Sequence, residues 1–305
     1  AAMFGNLNAT FEKTSFVNNS VTVTGYGNAY GGAVYTERGV TISGGVLSGN
    51  SATAGAGGAY GGAVYTGSSL TIKDGSLQNN SVTSNSGQAH GGAVFMDASV
   101  NTGAINLNLE AAAKDFIISG NTANGKSSGI YIGNHQGSTS TSDVTLNLTG
   151  SKNFSMLDSL TVGMNGGREF NMNRSNSGLF TWQGRHNIKA SSVNLKFSNG
   201  LTHVDRDFSV NITGNTGGGL EFANGSGFIF DSRRDGSLAF FNNEGGQLPA
   251  TTNGTVNLGT SDTRRQLNDF SKRYVLADKT AGHLSRIRLG GTTRGHSSKV
   301  ARNMI

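Results

Sequence analysis

The chain has 305 residues, of which 47 are glycine, one is proline and none is cysteine, and only 14% carry charge. Zero cysteine excludes thiol catalysis, Cys-ligated zinc and iron–sulfur clusters, while an apolar share of 35% with so little charge is not the composition of a disordered chain. The net charge of +6 is unevenly placed, since residues 261–305 hold ten of the 24 basic and three of the 18 acidic residues, leaving 14 against 15 in residues 1–260.

The first residues, Ala1-Ala2-Met3-Phe4, show no basic-then-apolar export signal, and no apolar run reaches the length of a membrane-spanning helix. The chain therefore reads as soluble. From Phe16 onward a repeat dominates. Ala29-Tyr30-Gly31-Gly32-Ala33-Val34-Tyr35-Thr36 recurs unchanged at 59–66 and as Ala89-His90-Gly91-Gly92-Ala93-Val94-Phe95-Met96, a spacing of 30 residues. Val40-Thr41-Ile42 aligns with Leu70-Thr71-Ile72 in the same frame. A fixed period of this size marks stacked copies of one unit, and the short β-branched runs bounded by Gly, Asn and Ser predict strands. Three short strands per unit, joined by a Gly/Ala-rich connection, predict an all-β fold: a right-handed parallel β-helix, or solenoid, with decorated loops. Coils of about 25–30 residues would number ten or so.

One ladder is written almost openly. Phe16 to Asn19, Leu47 to Asn50, Leu77 to Asn80 and Ile118 to Asn121 each place an apolar residue three before an Asn, and 212–215 and 240–243 repeat the offset. Stacked Asn19, Asn50, Asn80 and Asn121 would hydrogen-bond at strand spacing, and Asn tolerates the left-handed backbone of a coil corner. After Met96 the period loosens: strands are expected at 104–109, 116–121, 129–132, 144–148 and 193–197, with one helical turn at Glu110-Ala111-Ala112-Ala113-Lys114. The repeats are clearest over 16–132, the β-helical body is expected over 1–260, and 261–305 is expected to be a basic capping segment.

Gly-Gly-Ala-Val at 31–34, 61–64 and 91–94, together with Phe-x-x-Asn at 16–19, resembles the repeats of chlamydial polymorphic outer-membrane proteins. The stretch 104–132, around Phe-Ile-Ile-Ser-Gly-Asn-Thr-Ala, is similar to the passenger domains of the wider autotransporter family. The resemblance spans residues 10 to about 165. It implies a β-helical protein exported unfolded through an outer-membrane pore and displayed on the surface of a Gram-negative bacterium. No twelve-stranded translocator barrel follows in this sequence, and the cysteines of the chlamydial proteins are missing.

Chemistry is sparse. Charged clusters at His203-Val204-Asp205-Arg206-Asp207 and Asp231-Ser232-Arg233-Arg234-Asp235 read as solvated turns, and no nucleophile elbow, zinc or phosphate-binding motif occurs. The six histidines are scattered, so no metal, cofactor or catalytic residue is assigned. The one surface feature with content is the column Tyr35, Tyr65, Phe95 and Tyr131. Its neighbours Val34, Val64, Val94, Ile130 and Thr36, Thr66, Met96, Ile132 share the other face, which becomes apolar along the stack. If that face is the interior, the aromatics form an outward stripe suited to a glycan or a protein; the opposite orientation would make them a core stack.

The sequence thus predicts a non-enzymatic surface passenger acting as adhesin or self-association module, its partners a host-surface protein or glycan or further copies of itself. A structural subunit of an extracellular polymer and a polysaccharide-active enzyme are the alternatives. The basic segment offers a contact for anionic polysaccharide, with too few aromatics for a specific nucleic-acid platform.

Overall fold

A computed structural model describes residues 2–3, 6–100, 103–135, 142–164, 166–204 and 208–213, and beyond them the strand segments 217–222, 226–230, 241–244, 250–258 and 284–289. Among these residues every regular element is a strand, and the strands stack in parallel from coil to coil. The chain is a parallel β-helix.

One wall is a nine-stranded sheet that includes Val34–Thr36, Val64–Thr66, Val94–Asp97, Ile130–Gly133 and Leu160–Gly163. Its register follows the sequence repeat, with Val34, Val64, Val94, Ile130 and Leu160 in one column. The remaining two strand columns belong to one 18-stranded sheet, in which Leu70–Lys73 and Ser76–Gln78 stand for a single coil. Asp74, with φ of 51°, turns the chain between them.

Alternation fills the lumen. Val34, Thr36, Val64, Thr66, Ile42, Leu47, Leu70, Ile72 and Leu77 all point inward and are buried. Further along, rings take over: Phe116 stacks on Phe154 at 4.8 Å, and Trp182 packs against Phe180, Phe197 and Phe208. Burying each such side chain contributes about 1.5–3 kcal/mol, and in a solenoid that term grows with every coil added.

The Asn ladder forms as the spacing predicts. Asn50 donates from its backbone N–H and its Nδ2 to Asn80 Oδ1, both at 2.9 Å, and Asn80 does the same to Asn121 Oδ1 at 2.9 Å. Asn19 likewise donates to Asn50 Oδ1. The remaining amide proton of each rung returns to the preceding strand, Asn50 Nδ2 to Phe16 O at 2.8 Å and Asn80 Nδ2 to Leu47 O at 2.9 Å. The ladder ends on a carboxylate: Asp158 Oδ2 accepts from Asn121 N and Nδ2 at 2.9 and 2.7 Å, and Oδ1 accepts from Gly120 N at 3.1 Å. The left-handed position lies one residue earlier than expected, at Asn18, Gly49, Asn79 and Gly120.

Three expectations need correction. The units at 29–54 and 59–84 contain five strands rather than three, because the connections expected to be irregular fold into two more: Ala29–Tyr30 and Ser51–Ala54 in the first unit, Ala59–Tyr60 and Ser81–Ser84 in the next. These strands make two further sheets outside the lumen, a three-stranded and a five-stranded one, together an arm on the first coils. Residues 110–114 make no helical turn. Glu110 and Ala111 end a strand in which Glu110 pairs with Lys73 at 3.2 Å, and the N–H groups of Ala112, Ala113 and Lys114 converge on Asp74 Oδ1. The late Asn recurrence at 243 belongs to the nine-stranded wall, paired with Ile212, not to the corner ladder; Asn215 lies outside the described residues. Beyond residue 260, Leu284–Leu289 lies parallel to Ala250–Leu258. The rest of 261–305 lies outside the described residues.

Candidate functional site

The arm exists because of two glycines per repeat. Gly31, Gly61 and Gly91 have φ of 56°, 67° and 69°, and a Cβ on Gly62 would sit 2.0 Å from Gly92 O and 2.6 Å from Ser81 O. The first glycine of each pair turns the chain and the second lets it pass between neighbouring backbones. The short strand before them then splits its side chains. Ala29 and Ala59 join Ala52, Ala54 and Val82 in a small core within the arm, whereas Tyr30 and Tyr60 turn the other way, against the outer face of the nine-stranded wall.

That outer face carries Tyr35, Tyr65, Phe95 and Tyr131. The column does face away from the lumen, but it is not an open stripe: Tyr65 and Phe95 are 3% and 0% exposed. Tyr35 and Tyr131, at the two ends, are half-buried. Two stacks of rings interlock. Tyr35, Tyr65, Phe95 and Tyr131 lie face to face at 5.2, 5.5 and 5.2 Å, and Tyr30 stacks on Tyr60 at 5.6 Å. The stacks meet edge to face, Tyr30 on Tyr65 at 4.8 Å and Tyr60 on Phe95 at 5.0 Å. His90 replaces tyrosine in the third copy and stacks on Tyr131 at 4.3 Å. Such pairs each add about 0.5–1.5 kcal/mol beyond burial.

A polar clasp closes this layer, and no residue spacing in the chain announces it. Asp97, fully buried, accepts hydrogen bonds from Tyr65 Oη at 2.7 Å, Ser99 N at 3.0 Å and Ser99 Oγ, and pairs with His135 Nδ1. Burial alone would raise the Asp97 carboxyl; the bonds from His135, Ser99 and Tyr65 outweigh it and hold the group below the usual carboxylate range. The Tyr65 hydroxyl is pushed up, first by burial and then by the Asp97 charge, and Tyr35 is pushed up to about 12 by burial and Glu37. His135 sits edge-on to Tyr30 and Tyr60 at 5.6 and 5.5 Å, and its backbone carbonyl accepts from Tyr60 Oη at 3.3 Å. One residue thus pins rings from two preceding coils.

Outside this buried layer, the arm's outer face meets solvent, with Ser20, Thr22 and Thr83 exposed and Ser51, Thr53 and Ser81 partly so. Ser20, Ser51 and Ser81 form one column and Thr22, Thr53 and Thr83 the next, all in register. Val21, Ala52 and Val82 between them turn into the arm, so the hydroxyls point outward. A second outward ladder runs over the large sheet, where Asn147 Nδ2 donates to Asn108 Oδ1 at 2.8 Å and Asn173 Nδ2 to Asn147 Oδ1 at 3.1 Å. Of the charged clusters, His203 and Val204 lie in a strand, and residues 205–207 and 231–235 lie outside the described residues. Among the described residues no group of three or more His, Asp or Glu is placed to hold a metal ion, and no helix is long and apolar enough to cross a membrane.

No protein-family model, no curated protein and no solved structure matches the chain.

Proposed function

We propose that this chain is the passenger portion of an exported, cell-surface protein of a Gram-negative bacterium, an adhesin or self-association module with no catalytic role. The observation that carries the reading is the hydroxyl grid of Ser20/Thr22, Ser51/Thr53 and Ser81/Thr83. Its columns repeat at about 4.8 Å between coils and its rows at about 6.7 Å along a strand. A partner with a comparable period, such as a second β-helix or an extended glycan, meets many weak hydrogen bonds at once. Each is modest, near 1 kcal/mol, but the sum rises with coil number and with copies on the cell. The nearly neutral body lets two such faces approach with little net repulsion.

The test is display of the passenger on cells with Thr22, Thr53 and Thr83 changed together to lysine. These side chains lie on the arm's outer face, so the fold is expected to stay intact by circular dichroism. Cell aggregation, or adhesion to host cells, is expected to fall at least tenfold. Unchanged aggregation and adhesion by the folded, displayed variant would overturn the reading.

A further inference from the structure

Among the described residues, a cation lies inside the lumen without a counter-charge. Arg174 ends the strand Glu169–Arg174, and alternation sends its side chain inward with Phe170 and Met172, to 0% exposure. In the stack it sits between Leu148 and Phe197. Its Nη2 donates to Gly178 O at 2.7 Å and to Asn176 Oδ1 and Leu201 O, both at 3.2 Å. Nε and Nη1 have no partner among the described residues. The ion pairs among the described residues are Lys73–Glu110, His135–Asp97 and Lys196–Glu221, none of which involves it. Burial pulls its pKa down to about 10, which still leaves the guanidinium charged at neutral pH.

The surroundings of Arg174 are unsatisfied in the same sense. Among the described residues, the buried side-chain nitrogen and oxygen atoms without a partner are Arg174 Nε and Nη1, Trp182 Nε1 and Thr202 Oγ1. All four belong to two consecutive coils. Thr202 follows the residue whose carbonyl holds Nη2, and Trp182 packs at 5.9 Å on Phe197, the ladder neighbour of Arg174. Every one of these atoms can donate a hydrogen bond; the three nitrogens accept none, and the Thr202 hydroxyl is free to turn its proton toward a common acceptor. Fully buried charges are otherwise paired, and a lone guanidinium in an apolar lumen is strongly unfavourable.

We propose that the lumen at Arg174 is a binding site for one small inorganic anion of the halide class, which neutralises the guanidinium and takes further donors from Thr202 and Trp182. Water does not meet the requirement, because it brings no charge and accepts only about two hydrogen bonds. A halide is spherical and accepts donors from several walls at once. Its binding ties two coils together from within, so anion concentration enters the stability of this part of the stack.

Trp182 is the chain's single tryptophan and reports on this site directly. In the purified chain, bromide is expected to quench its emission along a saturating curve that chloride competes away, while the neutral quencher acrylamide leaves it untouched because the ring is buried. At constant ionic strength, replacing gluconate by chloride is expected to raise the midpoint of the Trp182-detected thermal transition by about 3 °C. Arg174→Met abolishes both effects; if that variant fails to fold, Thr202→Val is expected to weaken bromide quenching several-fold. A crystal grown in bromide should show an anomalous peak beside Arg174 Nε or Nη1. Absence of that peak, quenching that is only collisional, or an unchanged halide response in Arg174→Met would overturn the site.

Discussion

At the scale of single residues, two kinds of polar group are locked inside this β-helix, and each leaves a measurable mark. Asn80 accepts two hydrogen bonds and donates two, so Asn80→Ala strands buried groups on both neighbouring coils and is expected to cost about 2–4 kcal/mol in denaturant unfolding. Asp158→Asn keeps one acceptor for Asn121 and should cost less; an equal or larger loss there would contradict the assignment of Asp158 as the ladder's end. His186 is fully buried and neutral, its Nδ1 accepting from Leu160 N at 3.0 Å and its Nε2 donating to Gln183 O at 2.8 Å. Burial pulls its pKa down to about 3, against a bond to Gln183 that works the other way. The folded pKa is depressed, so the contribution is present above about 6.5 and is lost as pH falls toward 3, by up to about 1.4 kcal/mol per pH unit. Trp182 fluorescence, 5.1 Å from His186, should therefore show a stability that declines from pH 7 to pH 4, and His186→Phe should flatten that decline. Asp97 acts in a lower window, since a carboxyl held below its usual range loses its contribution only as pH falls beneath about 4.

At the scale of elements, the arm changes what the aromatic column means. Phe95→Ala removes a ring that is buried between two stacks, and a loss of about 3–5 kcal/mol is expected where an open stripe would have lost almost nothing. Gly62→Ala should be comparably damaging, because its Cβ meets backbone and not a movable side chain. Calorimetry of both variants checks this; a midpoint unchanged from the parent would mean the arm is not packed as described. The walls were legible in the sequence because alternation and a 30-residue period are redundant signals, each strand position being written three times. The arm was not legible, since Ala-Tyr and Ala-His are two-residue strands, too short to show alternation, and alanine reads as a connector. Asp158 broke the Asn pattern by being an acid. Asp97 and His135 lie 38 residues apart, where the exact period had already loosened, so nothing in the spacing brought them together. Arg174 occupies an inward position that the alternation of Phe170 and Met172 marks, yet its charge favours an outward reading.

At the scale of the whole molecule, coils touch mainly their neighbours, and the arm thickens only the early ones. Hydrogen exchange is accordingly expected to divide the chain, with amides of the arm-bearing coils between Ala29 and Ala123 protected longest and those of the armless coils between Leu160 and Val204 exchanging sooner. A single sharp calorimetric transition with uniform protection would contradict this. The charge is divided along the sequence as well, and the basic excess of 261–305 should give heparin retention at low salt that fades toward physiological salt. Retention that ignores salt would mean the contact is not made by those lysines and arginines.

The register of the repeats has a consequence for how such a chain changes length. Ala29–Thr36 and Ala59–Thr66 are identical in sequence and directly superposed in the stack. Excision of residues 37–66 would join Thr36 to Gly67, keep the glycine pair, hand the partner of Asn19 from Asn50 to Asn80, and leave every wall in phase. Unequal crossing-over between two such copies is therefore a conservative event for this protein: it resets the length of the stack by one rung, in either direction, without creating a new junction that selection must repair.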